Sequence, residues 1–437
     1  MIRIIGCVVL ALAFCGQALG QAEPQVLTVD ACVRLALAGN RLVQAAREAA
    51  ESARQSSKET GAKRLPRVTT SANYARINDS GDGGATTTTG LTGAAGSFGL
   101  YGGVEEYATA SVSVVEPIAD QIGLRHTVGI ARLEAAIAAL EQASAENEAA
   151  FAARRAYYMV LTYEKTVESV RQTITELEST LKLTRSLKEG GRVLQRDVNK
   201  ADIAVEQAKL ELLRAENALQ AARSSLRDVL GLDLDAPVAP APTEAIEPFG
   251  LDLDACISTA HVERPDLRAS RLRHEAARRG VALARSAYVP SVGASVSYEW
   301  QDTDLAESDD SVTVGLNWSW DVWDWGGRRS AVRSARASAR AASFVLEDER
   351  SRVALEVERL WLALEVARLK IDVAKKDWDY AIENVRVSRE KYEAGTLLIT
   401  DLLDDQTALN DSRIAYYVAI YDYAIALADL RRSMGRQ

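Results

Sequence analysis

Histidine is nearly missing from this 437-residue sequence: only His126, His261 and His274 occur, none beside a cysteine or carboxylate at metal-ligand spacing. No HExxH, GxSxG, GxxxxGK(S/T) or CxxC pattern is present. The usual frameworks of zinc hydrolysis, acyl transfer, nucleotide binding and dithiol chemistry are therefore lacking, which argues against an enzyme and gives no reason to expect a metal or cofactor. A basic surplus is missing too. The 52 Lys and Arg against 61 Asp and Glu leave a net charge of −9, a balance that repels phosphate backbones and speaks against nucleic acid as a partner. With 47% hydrophobic and 26% charged residues, disorder and collagen are excluded.

Long apolar runs are confined to the start. Met1 to Gly20 combines Arg3, an apolar stretch from Ile4 to Cys15 and the small-residue ending Ala18-Leu19-Gly20 before Gln21, which reads as a secretory signal peptide over residues 1–20. Acylation is disfavoured, because Phe14 precedes Cys15 where a lipid anchor needs a small residue. Beyond that segment no stretch of about 18 apolar residues remains, so a location in a membrane requires a β-barrel. Two cysteines then survive, Cys32 and Cys256, each in the phrase Asp-Ala-Cys. An oxidising compartment allows a disulfide, but their matching positions favour two small buried side chains on equivalent helices.

That match belongs to an internal repeat. Leu27, Asp30, Ala31, Cys32, Pro66, Val68, Ser71 and Tyr74 recur 224 positions later as Leu251, Asp254, Ala255, Cys256, Pro290, Val292, Ser295 and Tyr298. Farther along the offset is 204: Asp120, Gly123, Gly191, Asp197, Leu226 and Gly231 match Asp324, Gly327, Gly395, Asp401, Leu430 and Gly435. The difference lies in the Gly- and Thr-rich run Asn78 to Tyr107, expected to be a long exposed loop. The chain is one unit written twice, over 27–231 and 251–435. A linker over 232–250 joins them, and its Pro237, Pro240, Pro242 and Pro248 prevent a continuous helix.

Each unit reads helix, strand, loop, strand, long helix, tight turn, helix. Val292, Ala294, Val296, Tyr298 and Trp300 alternate with polar or small residues, as do Val312, Val314, Leu316, Trp318 and Trp320. Ala108, Ala110, Val112 and Val114 repeat the pattern more weakly. Such runs of about ten residues suit outer-membrane barrel strands. A half-buried soluble hairpin has the same alternation, but Trp318, Trp320, Trp323 and Trp325 gather at one strand end, as an interfacial aromatic girdle requires. The acidic phrase 302–310 is expected to be a solvated outer loop. Leu124 to Glu189 contains no proline and spaces Val167, Val170, Ile174, Leu177 and Leu181 by heptads, predicting a rod of roughly 100 Å. After Gly190-Gly191 the chain reverses, and Val198, Ala201, Val205, Ala208, Leu212, Ala215, Leu219, Ala222, Leu226 and Val229 keep a 3,4 spacing. Leu27 to Lys63 and Leu251 to Tyr288 are expected to be single helices of about 35 residues, two of which match one long rod. Four strands cannot close a membrane barrel, for which about eight is the lower limit, so the working form must be oligomeric.

The whole stretch beyond residue 20 resembles the TolC-like outer-membrane efflux protein family. The likeness rests on the order and duplication of LTVDACVRLALAGN, ERPDLRAS, WDWGGRR, EGGRVLQRDVNKADIAVEQA and YEAGTLLITDLLDDQTALN. It implies a mainly α fold with membrane β structure: a homotrimer whose chains each give four strands to a twelve-stranded β-barrel in outer-membrane lipid. Long coiled-coil helices would form a periplasmic α-barrel. It further implies a passive exit duct of a tripartite efflux or type I secretion system, docked to a periplasmic adaptor and an inner-membrane pump of the RND or ABC class. The helix-turn tips would be Gly190, Gly191 and Gly395. Asp401 and Asp404 fall where the family places lumen-facing aspartate rings. Tyr392 falls at its gate tyrosine, and Asp197 at the carboxylate partner on the neighbouring turn. Leu397 stands where the best-known members have arginine, while Arg196 replaces a small polar residue, so the closing contacts are expected to be wired differently. Independently of the family, Asp401 and Asp404 at i and i+3 share a helix face. Threefold symmetry would then bring six carboxylates around one axis and favour cations, whereas a lone helix N-terminus also welcomes solvated acids. The competing function is a soluble periplasmic coiled-coil scaffold or adaptor. A rod of that kind has no use for amphipathic hairpins at equivalent points of both repeats.

Overall fold

A computed structural model describes residues 25–76, 106–233, 235–242, 249–303 and 306–436. The signal segment, Cys15, Pro248 and the Gly- and Thr-rich run as far as residue 105 lie outside the described residues. The first repeat comprises β1 (Gln25–Leu27), α1 (Val29–Gly39), α2 (Arg41–Ala62), β2 (Arg67–Arg76), β3 (Glu106–Pro117), α3 (Gln121–Glu189) and α4 (Gln195–Leu230). After β4 (Val238–Pro240), the second repeat follows with α5 (Leu253–Glu263), α6 (Pro265–Ser286), β5 (Ser291–Thr303), β6 (Ala306–Ser319), α7 (Gly327–Glu393) and α8 (Ile399–Ser433). Helices α3 and α7 run unbroken for 69 and 67 residues.

Two sequence expectations are corrected. The helices expected over 27–63 and 251–288 are each broken in two. At the first break Asn40 is extended, and its side-chain oxygen accepts the N–H groups of Leu42 (2.8 Å) and Val43 (3.4 Å), capping α2. At the second, Pro265 opens α6, and its ring holds Arg264 out of the helical region (φ −64°, ψ 120°). Within the 232–250 linker, β4 pairs in parallel with β1, placing Val238 beside Gln25 and Pro240 beside Leu27. Finally, the acidic 302–310 phrase is mostly strand. Asp309 and Asp310 lie in β6 opposite Gln301 and Trp300, and the ladder extends to Thr303 and Ala306.

The chain divides into two compact units that cut across both repeats. The first (Met1–Arg47, Gln142–Asp266 and Arg350–Gln437) has a core from α1, α3, α4, α5, α7 and α8, in which Cys32, Ala36, Tyr157, Leu226, Cys256, Val357 and Leu430 are fully or almost fully buried. Repeat equivalence is visible in its caps: Thr28 accepts from the Ala31 N–H in α1, and Asp252 from the Ala255 N–H in α5. Both cysteines are unpaired thiols, and burial pushes that of Cys32 up to about 11. The small buried-side-chain reading accounts for both. Tyr157 donates its hydroxyl to the Ala241 carbonyl at 2.6 Å, tying β4 to α3.

The second unit (Glu48–Glu141 and Leu267–Glu349) holds one antiparallel sheet in the order β2-β3-β5-β6. Its register gathers the alternating residues into rows. Val68, Val114, Val296 and Val314 form one row, with Val112, Tyr298 and Val312 in the next; between them on the opposite face run Thr69, Ser113, Ser297 and Thr313. The apolar face is uncovered: Val312, Val314 and Leu316 are 67%, 76% and 70% exposed. β2 and β6 each pair on one side only. Among the described residues no helix is long and apolar enough to cross a membrane.

Candidate functional site

Two features stand out, one in each unit. In the first unit, the α3–α4 and α7–α8 hairpins end in equivalent turns. Gly191 donates to the Lys188 carbonyl and Arg192 to that of Leu187; Gly395 donates to Tyr392 and Thr396 to Lys391, all at 2.9 Å. This is the Schellman pattern, and it needs a left-handed residue, supplied by Gly191 (φ 71°) and Gly395 (φ 80°). Gly190 ends the helical ladder by donating to the Ser186 carbonyl.

The equivalent aspartates after these turns do different things. The Asp197 carboxylate turns back to accept the Leu194 N–H at 3.1 Å, capping α4, and stands 3.6 Å from the exposed Arg196 guanidinium. Asp401 and Asp404 are exposed on α8; Thr400 reaches Asp401 at 3.5 Å. Tyr392 is instead 3% exposed. It packs with Ile399 and Leu402, against Leu183, Leu187, Val193 and Leu397. Leu397 thus joins an apolar cluster at the tip. The Tyr392 hydroxyl donates to Thr184 Oγ1 at 3.1 Å rather than to Asp197. Burial raises its pKa, the Thr184 bond lowers it less, and the Asp197 charge adds to the rise.

Thr184 opens a seam that the sequence reading missed. Along α3, Ser169, Thr173, Glu176, Thr180 and Thr184 share a face that meets α8 and the end of α7. Gln406 donates to Thr180 Oγ1 (2.8 Å), Ser169 donates to Asn410 Oδ1 (3.2 Å), and Arg413 pairs with Glu176 (3.0 Å). Thr180 and Thr184 donate their hydroxyls back to carbonyls four residues earlier, freeing their oxygens to accept across the seam. The signal was present as polar residues at 4,3,4,4 spacing, interleaved with the apolar heptad that packs α3 on α4 through Leu177, Leu181, Val198, Ala201 and Val205. Arg192, also unforeseen, donates to the Glu393 carbonyl at 2.9 Å and links the two turns.

In the second unit, the four tryptophans cluster at the end of β6 and in the connection to α7. Trp318 and Trp320 have ring centroids 6.4 Å apart, and Trp323 and Trp325 5.8 Å. All four are exposed. The WDWGG turn is pinned by Asp324, which accepts the backbone N–H groups of Arg328 (2.7 Å) and Gly326 (3.2 Å) and the Arg328 Nε–H (3.0 Å). Those bonds hold its carboxyl below the ordinary aspartate value.

The profile of the family described as "Outer membrane efflux protein" matches residues 32–232 and 256–436. The outer membrane protein TolC of Vibrio cholerae is 24% identical over 295 residues, covering 64% of this chain and 66% of that protein, just under two thirds of its length. Among solved structures, the fold is similar to the outer membrane protein VceC of Vibrio cholerae (TM-score 0.77, 17% identity, 93% of this chain and 96% of that one). It is also similar to the CmeC outer membrane channel of Campylobacter jejuni (TM-score 0.79, 16% identity, 93% and 85%). With both repeats matched by the family profile, the chain belongs to the outer membrane efflux protein family and is a protein of the outer membrane.

Proposed function

We propose that this protein is a passive exit duct: a homotrimer in which twelve strands close a barrel in outer-membrane lipid and the long helices continue as a periplasmic tunnel. The observation that carries the reading is the four-stranded sheet, with an uncovered Val, Leu and Trp face, a Ser and Thr face, and two half-paired edges. In hydrocarbon, half-paired edges expose N–H and C=O groups that only another strand can satisfy. Joining β6 of one copy to β2 of the next removes every edge, and three copies give twelve strands. The polar face then lines water and the apolar face meets lipid, with the four tryptophans at the interface.

The duct performs no chemistry of its own and takes its direction from a periplasmic adaptor and an inner-membrane RND or ABC pump. At the tip, Tyr392, Thr184 and Arg192 hold the hairpins together, and the exposed Asp401 and Asp404 of three chains form the carboxylate rings of the aperture. Asp197 acts as a cap of α4 beside Tyr392, with Arg196 and Leu397 altering the closing contacts. Membership of the efflux family supports the duct over a soluble scaffold. Fractionation tests it: the protein should stay with outer membranes through carbonate washing and migrate as a trimer in mild detergent. Release by osmotic shock as a monomer would overturn the reading.

A further inference from the structure

The helices on either side of the second hairpin are strongly basic, in a chain whose net charge is −9. Residues 267–286 of α6 and 327–346 of α7 hold eleven arginines and one acid, Glu275. Glu275 is taken by Arg279 (2.8 Å), while Arg273 pairs with Glu141 and Arg328 with Asp324 (3.0 Å). Seven others are exposed: Arg268, Arg278 and Arg285 on α6, and Arg329, Arg333, Arg336 and Arg340 on α7. Their guanidiniums meet no partner among the described residues. The α7 four follow a 4,3,4 spacing and share one face. Their neighbours Ser330, Ala331, Ser334, Ala337 and Ser338 are too short to screen them. The other repeat has the same feature: 204 positions earlier, Arg125 and Arg132 match Arg329 and Arg336, and both are exposed and unpaired. Glu134, the one acid between 121 and 140, stands nine residues from Arg125, on the opposite side of α3.

We infer that these arginines line the part of the tunnel next to the barrel, and that the cargo the duct favours is anionic, bearing carboxylate, phosphate or sulfonate groups. This rests on the duct reading and names its substrate class. Rings of arginine around a water-filled bore are how pores favour anions. Three copies of the six arginines on α3 and α7 put eighteen guanidiniums around one bore, with no acid of their own face to neutralise them.

The positive surface is continuous with the face of the sheet that meets water. Arg67 opens β2 at the end where the helices join; by alternation it shares the face of Thr69 and Ser71, and it is exposed and unpaired. Glu116, near the same end of β3, has the parity of Val112 and Val114 and belongs to the apolar face. The rows are also too tall for lipid headgroups. Arg340 lies thirteen residues into α7 and Arg268 eighteen from the end of α6, about 20 and 27 Å from the ends that join the sheet. A headgroup layer adds only about 5–7 Å to each side of the hydrocarbon. The carboxylates of Asp401 and Asp404 do not cancel this field. Arg340 is fifty-three residues from Glu393 at the other end of α7, about 80 Å away, against a Debye length of about 8 Å.

The test uses the full chain in planar bilayers, with inositol hexakisphosphate added at the barrel mouth as the probe. It should block the wild-type current. Arg329→Gln, Arg333→Gln, Arg336→Gln and Arg340→Gln together should raise the half-blocking concentration at least about tenfold and move the reversal potential in a KCl gradient toward cations. Lysine at the same four positions keeps the charge and should preserve both readings, as should Asp401→Ala with Asp404→Ala for the block. Wild-type channels that hexakisphosphate does not block, or block and reversal potential unchanged in the glutamine variant, would overturn the assignment while sparing the duct. So would a glutamine variant whose only loss is binding to vesicles of anionic phospholipid, since the arginines would then face the membrane surface. Absence of channels from protein that native mass spectrometry finds monomeric would remove the duct reading as well.

Discussion

Replacing Tyr392 by phenylalanine isolates one hydrogen bond at the tip. The ring would keep its packing on Ile399 and Leu402, and only the hydroxyl that donates to Thr184 at 3.1 Å would be lost. A neutral bond of this kind contributes about 0.5–1.5 kcal/mol net. If three copies open together, the loss sums to roughly 1.5–4.5 kcal/mol, which raises the ratio of open to closed tips about ten- to two-thousand-fold. The seam behind it gives little compensation, because Gln406 Oε1 and Arg413 Nη1 have no partner among the described residues, and a partly satisfied buried network holds weakly. The assay is single-channel recording in planar bilayers, comparing open dwell times of wild type, Tyr392→Phe and Thr184→Val. Both variants should lengthen openings to a similar degree, since each removes the same bond. The pH dependence follows from the raised Tyr392 pKa: burial favours the neutral hydroxyl, so the contribution to the closed tip is fully present below the ordinary 10.0 and is lost only as pH rises through the elevated value, where a buried tyrosinate beside Asp197 is disfavoured. Wild type should therefore open at strongly alkaline pH in a way the phenylalanine variant does not share. Dwell times in Tyr392→Phe that match wild type would refute the closing role.

Two further outcomes follow from the geometry. Gly231 ends α4 with φ 69°, and an added Cβ there would stand 2.3 Å from the Gly39 carbonyl oxygen, whereas at Gly191, with φ 71°, nothing lies within 4 Å. Gly191→Ala should therefore cost only conformational strain, about 1 kcal/mol, and Gly231→Ala at least twice that because α1 and α4 must separate; urea denaturation of the refolded protein should rank them so. Replacing both Asp401 and Asp404 by alanine should abolish block of the single-channel current by multivalent cations, and unchanged block would place these carboxylates away from the lumen.

The repeat, the long helices and the hairpins were legible in the sequence because each is a periodic pattern. Leu177, Leu181, Val198, Ala201 and Val205 announce a helix pair by spacing alone, and Val312, Val314 and Leu316 announce a strand. What escaped was aperiodic or hidden under another period. Asn40 breaks a helix by turning its amide onto two N–H groups, which is a matter of side-chain direction. β4 pairs with β1 across more than two hundred residues, and three-residue strands carry no alternation to read. The acids at Asp309 and Asp310 resemble loop residues because β6 sets them at its exposed end. At the tip, the family resemblance pointed to Tyr392 and Asp197 but not to Thr184, since threonine in a long helix looks neutral until its back-bonded hydroxyl is seen accepting from tyrosine. The equivalent aspartates illustrate the limit most clearly: Asp197 and Asp401 match in the repeat, yet one carboxylate caps its helix and the other is exposed.

The central claim is that one face of the sheet meets lipid while the other meets water. Nitroxide labels placed singly from Ser311 to Trp318 along β6, in the protein reconstituted into bilayers, test it most directly. The account predicts a period-two alternation: labels at Val312, Val314, Leu316 and Trp318 relaxed by membrane-dissolved oxygen, and those at Ser311, Thr313, Gly315 and Asn317 by a water-soluble nickel chelate. Equal access of the nickel chelate to both sets, or shielding of the even positions from both reagents, would show a sheet in water or packed in protein and would contradict it.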